Sequence, residues 1–141
     1  MEEEMIKELI ENYQSNKRKF RKLQEKLIDL YDYNTKVTAA YGDNPGGGAG
    51  GVSSKVERYA VKICDTQQQL MDLANNLRIV DQAQKVLNDK ENEVIEMIKL
   101  GYRNKLSKIG RLLGKDRKYI FDTRNKAIKK MSEYIISIEY L

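Results

Sequence analysis

The sequence predicts an all-α protein in two parts: a coiled-coil-like pair of long helices, then a helix-turn-helix domain. Three observations lead there. Apolar residues recur at alternating three- and four-residue steps over two long stretches. One glycine-rich segment separates those stretches, and the chain's positive charge is confined to its last third. The expected boundaries are residues 1–85 for the first part, with a linker at 42–51, and residues 86–141 for the second.

Composition narrows the function classes. In 141 residues, 33% are charged, Pro occurs once and Trp is absent, which favours helix. A single Cys excludes an internal disulfide, and no long apolar run suggests a membrane span, so a cytoplasmic protein is expected. Cys64 follows Ile63 and is expected to be a buried small hydrophobe. No His is present, which removes His-based catalysis and His-dependent metal sites. The glycines of GDNPGGGAGG are not followed by the Lys-Ser/Thr of a phosphate-binding loop. An enzyme, a cofactor and a metal site are therefore not expected.

The first stretch, Met1 to about Tyr33, contains neither Gly nor Pro, and its MEEEM start suits the positive end of a helix dipole. Its seam is Ile6, Leu9, Tyr13, Phe20, Leu23, Leu27 and Leu30, with Asn16 in the one polar slot. From Asn34 to Val52, Pro45 and a run of glycines end the periodicity, as in a flexible connector. The second stretch is expected to start at Ser54, which stands three residues before Glu57 as in a capping box. Its seam is Val56, Tyr59, Ile63, Leu70, Leu73, Leu77 and Val80, with Thr66 as the exception. The two seams can pair as an antiparallel hairpin or each with a second copy, and the sequence leaves both open. A break is expected near Asn88-Asp89, followed by a short amphipathic helix with Val94, Ile95 and Ile98, ended by Gly101 as a C′ residue.

Residues 104–131 carry the functional signal. Asn104 is a candidate N-cap, and Leu106, Ile109, Leu112 and Leu113 form one apolar face. Gly110 leaves room for a close crossing, Gly114 permits a left-handed turn and Asp116 can cap the next helix. That helix points Ile120, Thr123, Ala127 and Met131 inward. The order of parts is that of a helix-turn-helix, whose second helix enters a DNA major groove. The apolar tail after Met131 is expected either to cover this domain or to form a contact surface.

Charge supports the same reading. Between Gly101 and Met131 there are eleven Lys or Arg against only Asp116 and Asp122, whereas residues 1–85 hold thirteen basic and thirteen acidic residues. The whole net charge of +5 thus lies beyond residue 85. Arg117, Lys118, Phe121, Asp122 and Asn125 face outward on the second helix and are the candidates for base contact. Arg pairs with guanine, Asn with adenine, and an apolar ring meets the thymine methyl. Lys105, Lys108, Lys115, Arg124, Lys126, Lys129 and Lys130 are the candidates for phosphate contact.

From Leu87 to Met131 the chain resembles region 4 of bacterial sigma factors. The matching elements are Leu87, Lys90-Glu91, Val94-Ile95, Ile109-Gly110, Leu113-Gly114, Asp116, Ile120 and Ala127. Asp116 replaces the family's usual Ser, and Arg124 stands where Leu is common, so packing under the second helix should differ. In overall layout the chain is similar to small phage-encoded transcriptional regulators of the RinA/ArpU type, including the SSKVERYAVK helix start. That resemblance implies activation of phage late genes by binding promoter DNA.

The expected partners are double-stranded DNA and either RNA polymerase or a second copy held through the N-terminal helices, with no membrane involved. Two rivals remain: a small terminase-like subunit that recognises DNA for packaging, and a coiled-coil adaptor whose basic end binds an acidic protein.

Overall fold

The computed structural model describes the backbone of residues 2–42, 49–103 and 105–139, and the side chains of 2–36, 55–103 and 105–138. Among the described residues the fold is all-α, with no strand. The helices are α1 (Glu3–Glu11), α2 (Tyr13–Gly42), α3 (Ala49–Ala83), α4 (Asp89–Met97), α5 (Leu106–Leu113) and α6 (Arg117–Glu139), with a 3-10 turn at Gln84–Val86 and a π-turn at Ile98–Tyr102. No helix among these residues is long and apolar enough to cross a membrane.

The chain divides differently from the expected boundary at residue 85. One compact unit comprises Met1–Lys17 with Asn75–Leu141, and the other comprises Arg18–Ala74. The first long helix is broken at Asn12, whose ψ of 5° leaves the helical range and whose short polar side chain weakens helix propensity. The nine-residue α1 so created packs on α6 and on the π-turn. Ile6 and Ile10 are almost fully buried in the same cluster as Ile95, Ile109, Ile120 and Met131. An apolar i, i+4 pair is indifferent to which partner it meets, so the seam periodicity could not reveal this.

Within the first unit, the expected break after α3 is present. Leu87 is extended, and Asn88 caps α4 in a full capping box: the Glu91 N–H donates to Asn88 Oδ1 at 2.9 Å, and the Asn88 N–H donates to Glu91 Oε1 at 3.0 Å. The same Glu91 oxygen accepts from Lys130 Nζ at 2.8 Å, tying the start of α4 to the middle of α6. Gly101, at φ 107°, ends the helical run, and Arg103 also adopts positive φ (37°) on the way into α5.

A second polar cluster sits beside the core. Tyr13 donates to Asp81 Oδ1 at 2.8 Å, and its ring lies 4.1 Å under Lys99 Nζ. Lys99, only 9% exposed, donates to Gln84 Oε1 at 2.7 Å and to Glu96 at 3.2 Å. Burial and the hydrogen bond to Asp81 raise the Tyr13 phenol well above its ordinary range. Burial alone would raise the Glu96 carboxyl, but hydrogen bonds from Gln84 and Lys99 hold it below the usual carboxylate range. A buried ammonium is costly without partners, and here it has them.

In the second unit, α2 and α3 run antiparallel. Gln67 Nε2 donates to the Tyr31 hydroxyl at 2.6 Å, and the Tyr33 and Tyr59 rings lie 4.8 Å apart. Of the seam residues in this unit, Ile63 and Thr66 are buried and Phe20, Leu23, Leu27, Leu30, Val56, Tyr59, Leu70 and Leu73 are half-buried. Two expectations fail. Helix α3 already begins at Ala49, so Ser54 lies within a helix and is not its N-cap. Cys64 is exposed, because one residue beyond the buried Ile63 is a rotation of about 100° around a helix. Residues 43–48 of the expected linker lie outside the described residues.

Helices α5 and α6 meet through a turn of defined geometry. Gly114 is left-handed (φ 68°, ψ 32°) and ends α5, while Asp116 Oδ1 accepts from the Tyr119 N–H at 2.7 Å and so caps α6. The space beside Gly110 is taken by the turn itself rather than by a crossing helix. A Cβ there would lie 2.5 Å from the Lys115 carbonyl oxygen. Leu106 and Ile109 are buried, but Leu112, assigned to the same face, is 57% exposed because it falls on the far side of this short helix. Ile120, Thr123, Ala127 and Met131 are all buried as expected. Helix α6 continues through the apolar tail, burying Ile135 and leaving Ile136 and Ile138 exposed.

Two measurements test these contacts. Gly110→Ala should destabilise the protein by roughly 1–3 kcal/mol, because the backbone of the turn must move. Urea unfolding should show a lower midpoint with an unchanged slope, and an unchanged midpoint would refute the contact. Burial alone would raise the Glu91 carboxyl, but hydrogen bonds from Lys130 and the Asn88 N–H, with the Lys130 and Lys126 charges, hold it below the usual carboxylate range. A depressed folded-state pKa gives stability that is present above the unfolded value, about 4.3, and is lost as pH falls through the folded one. Glu91→Gln should therefore be less stable than the parent near neutral pH and lose less stability on acidification.

Candidate nucleic-acid interface

The outward face of α5, the turn and α6 is built from cations over a buried apolar underside. Inward Ile109 and Ile120 fix the rotation of the two helices, and every outward residue follows from that. On α6, Arg117, Lys118, Phe121, Asp122 and Asn125 are all exposed, as the helical period requires. Phe121 is 45% exposed, an apolar ring presented among charges. Lys126 and Lys129 lie exposed further along the helix.

Around the start of α5 the cations converge. Lys105, Ser107, Lys108 and Arg111 line a shallow cleft of about 290 Å³ together with Arg117 from the first turn of α6. Four positive side chains and one hydroxyl thus surround one open space, with no carboxylate among its lining residues. Lys105 is the N-cap of α5 and makes no side-chain cap hydrogen bond, so the first N–H groups of α5 have no side-chain acceptor from it. Such a place suits an anion: helix-end N–H groups, charged donors and a hydroxyl. Asn104, expected as this cap, lies outside the described residues. Lys115 is exposed in the turn, its Nζ 5.2 Å from the Tyr119 ring centre, and Lys108 lies 5.4 Å from that of Tyr102.

Three candidates differ from the rest in their surroundings. Arg124, counted among the phosphate contacts, is only 8% exposed. Its guanidinium lies 5.2 Å over the Phe121 ring and donates to Asn125 Oδ1 at 3.4 Å. It therefore supports two of the candidate base-reading residues from beneath rather than facing solvent. Lys130 remains half exposed, but its ammonium is engaged by Glu91, so any phosphate would compete with a carboxylate. Arg117, placed with the base-contact residues, opens onto the cleft with the phosphate candidates.

Ser107 and Arg111 were missed as site residues. Their signal was present in the spacing: Lys108 and Arg111 stand one helical turn apart, and so do Ser107 and Arg111. What the sequence lacked was the position of Arg117 opposite them.

No family model matches the chain, and neither any curated protein nor any solved structure matches it.

Proposed function

We propose that the protein is a sequence-specific DNA-binding regulator of transcription that uses α5, the turn and α6 as a helix-turn-helix. The observation that carries this reading is the exposed basic band, Lys105, Lys108, Arg111, Lys115, Arg117, Lys118, Lys126 and Lys129, on one pair of helices with a buried underside. The first turns of α6 enter the major groove. Asn125 pairs with adenine, Phe121 meets a thymine methyl, and Asp122 accepts from a cytosine amino group. Arg124 holds Phe121 and Asn125 in place for this. The cleft formed by Lys105, Ser107, Lys108, Arg111 and Arg117 takes a backbone phosphate and sets the register of α6.

One such module spans few base pairs, so further affinity comes from a second copy or from RNA polymerase at a promoter. The resemblance to RinA/ArpU-type regulators favours a role at phage late promoters, in concert with the host polymerase.

Fluorescence anisotropy on a cognate and a scrambled duplex at several salt concentrations tests the reading. With about five phosphates neutralised per subunit, log affinity should fall with log salt at a slope near −0.9 per phosphate. Arg117→Ala should lower that slope by about one unit and leave base preference intact. Asn125→Ala should cost roughly 1–3 kcal/mol on the cognate duplex and little on the scrambled one. Equal affinity for both duplexes, with a shallow slope, would instead indicate a protein adaptor that uses its basic face on an acidic partner.

A further inference from the structure

The antiparallel pair α2–α3 of the second unit has two unlike faces. One is charged at its rim: Lys19, Lys22, Gln69 and Asp72 border a common cleft whose floor is Leu23 and Leu73. At helical spacing Lys26 and Asp65 extend the same side, and all five charged residues named here are exposed. The opposite face is marked by the Gln67–Tyr31 hydrogen bond, which joins the two helices there. At steps of three, four or seven residues from that pair stand Ile28 on α2 and Ala60, Cys64, Met71 and Ala74 on α3. All are exposed, Ile28 at 67% and Met71 at 66%. Between the faces the seam is only half covered: Phe20, Leu23, Leu27, Leu30, Leu70 and Leu73 are each partly accessible.

We propose that this neutral face is the docking surface for a second copy of the chain, which closes the helix pair into a four-helix bundle. Two helices alone cannot enclose a core, and a second pair laid on the neutral face covers the side of both seams that faces it. The size fits. About twenty residues per helix at 1.5 Å rise make a length of about 30 Å, and two helices each about 10 Å wide give a face of roughly 600 Å² per copy, the lower end of a stable interface. The charge fits as well. Within residues 18–74, the charged residues at the same heptad positions as Ile28 and Met71 are Arg21 and Glu57. Because the helices are antiparallel, these lie toward opposite ends of the face. A two-fold axis across the helices reverses the second copy, so each end then holds one residue of each sign. A strongly acidic or basic partner finds no complementary charge on this face.

The pairing rests on the second unit alone, so sedimentation velocity of the full chain without DNA tests it separately from DNA binding. The parent should sediment as a dimer at micromolar concentration, and Met71→Glu as a monomer with unchanged helical circular dichroism. Lys22→Glu, on the charged face, should leave the dimer in place. Arg21→Glu and Glu57→Arg should each weaken association about tenfold, and the double variant should recover it. A monomeric parent, a Met71→Glu variant that stays dimeric, or a charge swap that fails to recover association would each overturn the proposal.

Discussion

The contact between Gly110 and the carbonyl of Lys115 governs how the last two helices meet. The Lys115 N–H donates to the Gly110 carbonyl at 2.8 Å, and the Lys115 carbonyl returns to the space a Cβ at 110 would occupy. The chain can therefore reverse over only two residues, Gly114 and Lys115, before Asp116 caps α6. A larger residue at 110 would push α6 away from α5. With the helices held in this way, Ile109 and Ile120 share one core, and the cleft of Lys105, Lys108, Arg111 and Arg117 assembles on the outside.

The interior also engages cations of the chain's last third. Lys99 is enclosed by Gln84, Glu96, Asp81 and the Tyr13 ring, Lys130 is held by Glu91, and Arg124 lies over Phe121. Three of the thirteen basic residues beyond residue 85 thus serve structure. What faces outward is more ordered than the count of basic residues implies. One group gathers at the start of α5 and the other runs along α6, so the two can be altered separately by mutation.

Local chemistry made much of this visible in the sequence. The left-handed Gly114, the cap at Asp116, the break at Asn88 and the inward period of Ile120, Thr123, Ala127 and Met131 depend on near neighbours, and each appears as read. The failures involve distant partners. Nothing near Ile6 and Ile10 indicates that they pack with α6, because their spacing serves any apolar neighbour. Lys130 finds Glu91 thirty-nine residues away, a pairing that charge patterning does not encode. Arg124, grouped by its charge with the phosphate candidates, is buried, in keeping with its place at a usual Leu position. Adjacency to Ile63 does not bury Cys64, because one residue is a rotation of about 100° around the helix.

Enrichment of bound duplexes from a random-sequence pool tests the central claim most directly. The parent should converge on a short motif, and Asn125→Ala should lose preference at one position of it while keeping the others. If the parent enriches no sequence over the starting pool at moderate salt, α6 does not read DNA bases and the account is wrong.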